Sequence, residues 1–432
     1  MQSPIISTKL QQIAEQAVKE PEKVFTDLMY LVDEEFLKEA YRKTRKEAGP
    51  GLDGITGQQY GEKLEANLEA LYERMRKGQY RAPAVKRIWL DKENGKKRPI
   101  GIPEFEDKVV QQAVSMLLTA VYEQDFSSAS YGYRPGRSPQ QAIQKLWDEC
   151  NRVNISWIVD VDVSGFFDSL DYEQMQGILK QRVNDGGIRR YIGKWLNAGV
   201  VEGGNLSYPK RGTPQGGVIS PILANIYLHH VLDEWIEKEV QPRLKGKSFL
   251  IRFADDFVIG CEREEDAQRV MEVLPKRFGR FHLKINPDKT RLVPFRRPNR
   301  QQKSGKGEGT FDFLGFTHYW ARSRNGGWVI KRKTAQKRLR RSMKAIWEWC
   351  RENRHQPVQE QFKMLSLKLN GHYQYYGIRS NYQRLYKVYR WTYRAWRYWL
   401  GKRCSKGKIS WEKFKLFEQA YPLPKPRIVH PI

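Results

Sequence analysis

Phe253-Ala254-Asp255-Asp256-Phe257 places two adjacent carboxylates between apolar runs, Phe249-Leu250-Ile251 before and Val258-Ile259 after. Two short strands joined by a tight turn follow from that pattern. The turn has no glycine, whereas a solvated hairpin tip would sooner carry Asn-Gly or Asp-Gly. Well upstream, Trp157-Ile158-Val159-Asp160-Val161-Asp162-Val163 reads as another apolar strand with carboxylates near its C-terminal end. One carboxylate on one strand and two on a neighbouring hairpin can hold two Mg²⁺ ions about 3.5–4 Å apart. Mg²⁺ favours hard oxygen ligands, and carboxylates plus substrate phosphates usually supply them. That is the donor set of in-line nucleotidyl transfer, in which one ion activates a 3′-hydroxyl and the other stabilises the leaving pyrophosphate.

The elements that must position these groups are legible in part. Leu64, Leu68, Leu71 and Met75 share one helical face within residues 1–80, after a loop at 49–54. Residues 84–103 read as a β-hairpin, with arms at 85–90 and 98–102 and Glu93-Asn94-Gly95 as the turn. Its cations, Lys86, Arg87, Lys92, Lys96, Lys97 and Arg98, suit either a solvated edge hairpin or a flap over a triphosphate. Val110, Val114, Leu117 and Val121 mark the next helix, and Ser138-Pro139 the start of another. The turn between them carries Arg134 and Arg137, which suit phosphates or acidic partners.

A glycine-rich loop, Arg211-Gly212-Thr213-Pro214-Gln215-Gly216-Gly217, leads into a helical pattern over 218–228. Glycines before a helix let backbone N–H groups approach a phosphate or nucleotide. No Gly-Lys-Ser/Thr follows, so this is not a Walker A loop. His282 to Thr290 ends a strand-like run with an exposed Lys289, and 311–316 reads as a short aromatic strand.

Lysine and arginine number 77 against 49 acids, a formal net charge of +28. A surface that basic implies a polyanionic partner, nucleic acid first and an anionic membrane surface second. No run of about 18 apolar residues is present, and residues 1–6 show no signal peptide, so a cytoplasmic protein is expected. Cysteines 150, 261, 350 and 404 form no Cys-x-x-Cys pair and read as reduced structural thiols. From 330 a cationic run appears, including Lys331, Arg338 and Arg341, with no acid among its members. Tyr386, Tyr389, Tyr393 and Trp396 recur at helical spacing, and Lys387, Arg390, Arg394 and Arg397 repeat it one residue later. The aromatic stripe suits a core face or base stacking; the basic stripe suits phosphate tracking.

In order, Gly-Tyr-Arg-Pro-Gly-Arg-Ser (132–138), the run 212–228, Phe-Ala-Asp-Asp (253–256) and Phe-Leu-Gly-Phe (313–316) resemble the reverse transcriptases of bacterial group II introns, the intron maturases. The resemblance spans about residues 35–400. It implies an α+β right-hand polymerase with fingers and a palm built on an antiparallel sheet with helices on one face. An α-helical thumb, or maturase domain, follows. The implied division is 1–80 N-terminal extension and loop, 81–320 fingers and palm, 321–403 thumb, and 404–432 a basic, DNA-binding tail.

The resemblance also implies roles. Asp162, Asp255 and Asp256 match the catalytic carboxylates that hold two Mg²⁺ (Mn²⁺ the alternative ion), with Asp160 as second choice for the first and the Val163 carbonyl assisting. Phe167 matches the residue that clashes with a ribose 2′-hydroxyl. Gln215 and Phe253 match residues beside the incoming nucleotide, Lys92 and Arg98 cations on its triphosphate, and Lys289 a lysine proposed to protonate pyrophosphate. Lys86, Arg134, Arg137, Lys331, Arg338, Arg341, Lys387, Arg390, Arg394 and Arg397 are the expected nucleic-acid contacts.

The implied partners are group II intron RNA, an RNA template with DNA primer, target DNA and dNTPs, with no membrane. Phe253 replaces the usual tyrosine and Ser164 the usual lysine. A C-terminal endonuclease is expected to be missing, so that the intron would borrow a primer. Two other readings compete with a polymerase that assists splicing and retrohoming: a non-catalytic splicing cofactor, and a related enzyme recruited to host defence or DNA repair.

Overall fold

A computed structural model describes residues 4–91, 97–208, 216–299, 307–403, 407 and 409–432. Lys92, the Glu93-Asn94-Gly95 turn, Gln215 and Cys404 lie outside the described residues. Four helices come first: α1 (Pro4–Lys19), α2 (Glu34–Lys43), α3 (Gly57–Gly61) and α4 (Leu64–Arg76), the last burying Leu68 and Leu71 as its period requires. β1 (Val85–Asp91) and β2 (Lys97–Ile102) pair antiparallel as the expected hairpin. α5 (Phe105–Asp125) is apolar on most sides and runs through the main core, with Val110, Val114, Leu117 and Val121 wholly buried. α6 (Pro139–Arg152) begins at Ser138-Pro139, where Ser138 and Gln141 form a reciprocal capping box.

β3 (Trp157–Ser164) is followed by α7 (Phe166–Ser169), α8 (Tyr172–Arg182), α9 (Gly186–Leu196), β4 (Val200–Glu202) and β5 (Asn205–Ser207). After α10 (Ser220–Leu228) come β6 (Ser248–Phe253), β7 (Asp256–Cys261), α11 (Glu264–Arg280), β8 (Lys284–Ile285) and β9 (Arg291–Pro294). β10 (Thr310–Phe313), β11 (Phe316–Arg322) and β12 (Trp328–Thr334) precede α12 (Gln336–Glu352), α13 (Val358–Tyr376), α14 (Tyr382–Gly401) and α15 (Trp411–Ala420).

The central sheet is antiparallel. β3 pairs with β7, which pairs with β6; on its other side β3 takes β9 along residues 157–160 and β8 along 163–164. Alternation along β3 sends Val159 and Val161 into the helical core, while Ile158 faces α6 and the β10–β12 sheet. The expected sheet is therefore present, and its second face is covered as well. The strands required this, since both faces of β6 and β7 are apolar. Asp160 and Asp162 share the Ile158 face, so the strand turns from apolar to acidic where that cover ends.

Two local expectations are corrected. Residues 311–316 are a hairpin rather than one strand: Leu314 and Gly315 form its turn with φ of 50° and 78°. The basic run from 330 does not open as a helix. Trp328, Ile330, Arg332 and Thr334 alternate inward on β12, a period of two obscured by the charge on Arg332 and by the outward Lys331 and Lys333, and the helices begin at Gln336. Residue 321 thus falls inside β11. The stretch after α15 packs back on the helices: Leu423 N donates to Tyr393 Oη (2.9 Å), Tyr373 Oη to Pro424 O (3.1 Å) and Val429 N to Gly377 O (2.8 Å).

Cys150, Cys261 and Cys350 are buried thiols. Among the described residues no helix is long and apolar enough to cross a membrane.

Arg182 ties the N-terminal segment to this core. Its guanidinium donates to the Ala17, Glu20 and Lys23 carbonyls and takes both Asp125 oxygens (2.8 and 3.1 Å). Arg182→Ala strands Asp125 and the carbonyls together. Urea unfolding is expected to show a loss of about 3 kcal/mol, and limited proteolysis faster cleavage at Lys19–Lys23; a wild-type cleavage pattern would rule out the tether.

Candidate active site

The β6–β7 hairpin closes through Phe253 opposite Asp256, which leaves Ala254 and Asp255 as the two turn residues. Ala254 has φ of 57°, a left-handed conformation that costs an alanine about 1–2 kcal/mol. The surroundings enforce it. Arg252, fully buried, donates to the Ala254 carbonyl (3.1 Å) and to Asn225 Oδ1 (3.0 Å), and pairs bidentately with Asp233 (2.8 and 2.6 Å). Asp233 ends a π-helical turn (His229–Asp233) that continues α10. Burial alone would raise the Asp233 carboxyl, but Arg252 and His229 overcome it and hold the pKa below the ordinary value.

Asn225 Nδ2 donates to the Gly132 carbonyl (2.7 Å), which locks the 131–138 loop against the hairpin. A Cβ at Gly132 would overlap Ala254 N and lie 2.9 Å from the Phe253 carbonyl carbon. The glycine is required by that approach. Tyr133 follows it, exposed, its ring 6.5 Å from the half-buried Phe253.

Asp162 and Asp256 are direct cross-strand partners, and Asp160 lies two residues back opposite Val258. Lys289 Nζ bonds both Asp162 oxygens (3.1 and 3.3 Å), and Arg291 Nη2 pairs with Asp160 (2.8 Å). Solvent reaches the Asp256 side chain, yet protein surrounds it densely. Desolvation, then Asp160, Asp255 and Asp162, push its carboxyl up to about 7, with Arg338 opposing. Burial raises Asp255 too, opposed by its own backbone N–H and by Arg98. Burial likewise raises Asp160, opposed by Arg291. Arg98 on β2 and Arg338 on α12 thus bring cations to the carboxylates from two other regions.

The donor chemistry fits a divalent cation. These are hard oxygens, burial and then their mutual repulsion lift Asp256, and a cation would relieve the repulsion. Among the described residues no three or more His, Cys, Asp or Glu side chains converge as a ready metal cage. Mg²⁺ does not demand one, because it is commonly held by one or two carboxylates plus water and substrate phosphates.

The other expected residues are placed as follows. Val163 is buried in the ladder opposite Ile285, and Phe167 sits half-buried beside Phe166 on α7. Lys86 and Arg98 are exposed on the hairpin, and Arg137 is exposed over the Tyr131 ring. Arg134 is not on a nucleic-acid face: it is buried, paired with Glu123 (2.8 Å) and bonded to the Ser127 and Ser130 carbonyls. Arg338 lies by Asp256, and Lys331 is half-buried on β12. Arg341, Lys387, Arg390 and Arg394 are exposed. Arg397 is turned aside, donating to the Ile409 carbonyl (2.6 Å) and stacked 3.8 Å over Trp411. Tyr386 is exposed while Tyr393 and Trp396 are buried, so the aromatic stripe runs from surface into core.

Sequence reasoning missed Gly132, Asn225, Asp233, Arg252 and Arg291. Arg252 left a signal, a charge within an apolar strand, and Gly132 and Asn225 stood within the motifs 132–138 and 212–228 without their roles being legible; Asp233 and Arg291 left none without their partners.

Comparison with known proteins matches residues 90–318 to the family model described as reverse transcriptase (RNA-dependent DNA polymerase). The chain belongs to the reverse transcriptase family. Within it, the chain is similar to protein YkfC of Escherichia coli K12, 30% identical over 67% of this chain and 84% of that protein. It is also similar to the group II intron-encoded protein LtrA of Lactococcus lactis, 34% identical over 52% of this chain and 38% of LtrA. A third relative is an uncharacterized 91 kDa protein in the cob intron of Schizosaccharomyces pombe, 31% identical over 54% of this chain and 29% of that protein. The chain thus spans well under half of the two intron proteins. The expected likeness to group II intron reverse transcriptases and maturases is borne out.

Two outcomes follow from the geometry. Gly132→Ala forces the hairpin turn aside; primer extension by the purified variant should fall at least about tenfold with a circular-dichroism spectrum like wild type. The Asp256 carboxyl is raised above its unfolded value, so the metal-free protein loses stability as pH rises from about 4 through about 7. Asp256→Asn removes that loss. Melting in EDTA should show the variant more stable than wild type at pH 8 and the two converging at pH 4.5; a constant difference would sink the assignment.

Proposed function

We propose that the chain is an RNA-directed DNA polymerase that also binds a group II intron RNA and assists its splicing and retrohoming. The observation that carries the first half is the carboxylate set, with Asp162 and Asp256 in direct register and Asp255 on the intervening turn. Membership of the reverse transcriptase family supports the same reading. The intron half is supported by relatives whose names place them in introns. Exposed cations at Arg341, Lys387, Arg390 and Arg394, on two helices of a chain with net charge +28, suit an RNA backbone.

In this reading the β1–β2 hairpin belongs to the fingers, the central sheet to the palm and α12–α14 to the thumb. Divalent cations held by Asp162, Asp255 and Asp256, with the Val163 carbonyl, would supply neutralisation of charge at the attacking hydroxyl and the leaving pyrophosphate. Arg98, near Asp255 on the hairpin, binds the triphosphate together with Lys92, and Gln215 lies beside the incoming nucleotide. Phe167, just beyond Asp162, excludes a ribose 2′-hydroxyl. Lys289 is the counter-ion of Asp162 (3.1 Å) and would give a proton to the leaving pyrophosphate. Phe253 packs by the nucleotide without the hydroxyl that a tyrosine would add.

Primer extension on an RNA template tests this directly. Asp255→Ala is expected to lower dNTP incorporation by at least about a thousandfold, while filter binding to structured RNA stays within about twofold because the basic helices are untouched. Normal extension by the variant would show that the site is elsewhere.

A further inference from the structure

On α14 the fold separates two sets of aromatic side chains. Tyr393 and Trp396 are buried with Leu385 and Val388 in the core of the C-terminal bundle. A different set reaches solvent. Lys387, Trp391, Arg394, Tyr398 and Lys402 follow one another at intervals of four, three, four and four residues. At about 100° per residue that spacing keeps all five on one face, away from the core. Cation and ring alternate along it. Tyr398 is 45% exposed, Trp391 is half-buried, and the three cations are exposed. Lys402 Nζ lies 5.7 Å from the centre of the Tyr398 ring. α14 carries no acidic residue.

α12 completes this surface. It runs parallel to α14, with Gln336 bonded to Arg384 (2.9 Å) and the Met343 carbonyl accepting from Trp391 Nε1 (2.9 Å). One turn on, the half-buried Trp347 brings its ring to within 5.0 Å of Tyr398, stacked, and 5.7 Å of Trp391, tilted. The indole N–H of Trp391 is spent on backbone, so its ring is held in place. Single aromatic rings at a surface need no explanation, but a held cluster of three does. A protein partner would suit an apolar centre with a polar rim. Here the cations stand between the rings, a pattern matched to the alternation of bases and phosphates in a single strand. Lys387 and Lys402 are about 22 Å apart along the helix, room for about four nucleotides.

We propose that Trp347, Trp391 and Tyr398 form a stacking platform for unpaired nucleobases, with Lys387, Arg394 and Lys402 holding the phosphates between them. The platform rests on the nucleic-acid-binding part of the reading above and gives that partner a defined contact. An RNA loop and a single DNA strand present the same chemistry, and the test separates them.

Fluorescence anisotropy of the full chain reads the affinity. The probes are oligouridylate and oligodeoxythymidylate of about twelve nucleotides and an RNA duplex of equal length, each at low and at high salt. Tyr398→Leu keeps apolar bulk and loses the flat face. It is expected to weaken single-strand binding about tenfold, the worth of one stacked base, at both salt concentrations, and to leave duplex binding within about twofold. Tyr398→Phe should restore wild-type affinity. Arg394→Gln should lower the slope of log K against log salt by about 0.7 on the single strands, and it carries the test if Tyr398→Leu does not fold. Tyr386→Leu, exposed on another face of α14, is the control and should bind as wild type. The strand on which Tyr398→Leu loses more identifies the source of the bases, and either result sustains the platform. Single-strand affinity within twofold of wild type in Tyr398→Leu, an equal loss on the duplex, or an equal loss in Tyr386→Leu would overturn the proposal. A wild-type protein that binds none of the three probes would instead overturn the nucleic-acid reading on which it stands.

Discussion

The buried ion pair between Arg252 and Asp233 is the constraint on which the candidate site depends. Both side chains are fully withdrawn from solvent. Such a pair adds little net stability, because desolvation of two charges offsets most of their attraction. Its effect is geometric. A guanidinium held in plane by a bidentate carboxylate has fixed directions for its remaining N–H groups, and here they reach the Ala254 carbonyl and Asn225. The hairpin turn is thereby kept in a left-handed conformation that alanine does not favour, and Asp255 and Asp256 are held against β3. The π-helical turn after α10 belongs to the same arrangement, since it carries Asp233.

The second constraint is charge. Asp256 shows it most strongly: burial first, then the charges of Asp160, Asp255 and Asp162, disfavour its ionisation. The chain answers with cations that arrive from separate elements. Lys289 precedes β9 and Arg291 begins it, Arg98 comes from the hairpin sheet and Arg338 from the first helix of the C-terminal bundle. The acidic cluster thus links regions that otherwise have separate cores.

The C-terminal bundle divides its cations between structure and surface. Arg397 is committed to the chain that follows α14, and Arg338 to the acidic cluster. Lys387, Arg390 and Arg394 stay exposed beside a stripe of tyrosines whose far end is core. Positive charge in the sequence therefore overstates the surface open to RNA. Arg134 makes the same point in the 131–138 loop, where it satisfies carbonyls and Glu123 rather than phosphate.

By itself the sequence determined the local elements and the acidic residues. Period and punctuation marked α4, α5, the start of α6, the β1–β2 hairpin and the β6–β7 turn, because each rests on neighbours within a few residues. The carboxylates could be located for the same reason, two adjacent in the chain and others near the end of a strongly apolar strand, while the choice of Asp162 over Asp160 came from the resemblance. Only the tertiary structure decided which residue faces which. The register of Asp162 on Asp256, the Arg252–Asp233–Asn225–Gly132 chain and the fate of Arg134, Arg338 and Arg397 depend on partners up to about a hundred positions away. Basic side chains also obscured β12, where the buried Arg332 stands among the inward residues and Lys331 and Lys333 among the outward ones. A pattern in one segment reports burial and period; it does not report which other segment arrives to be its partner.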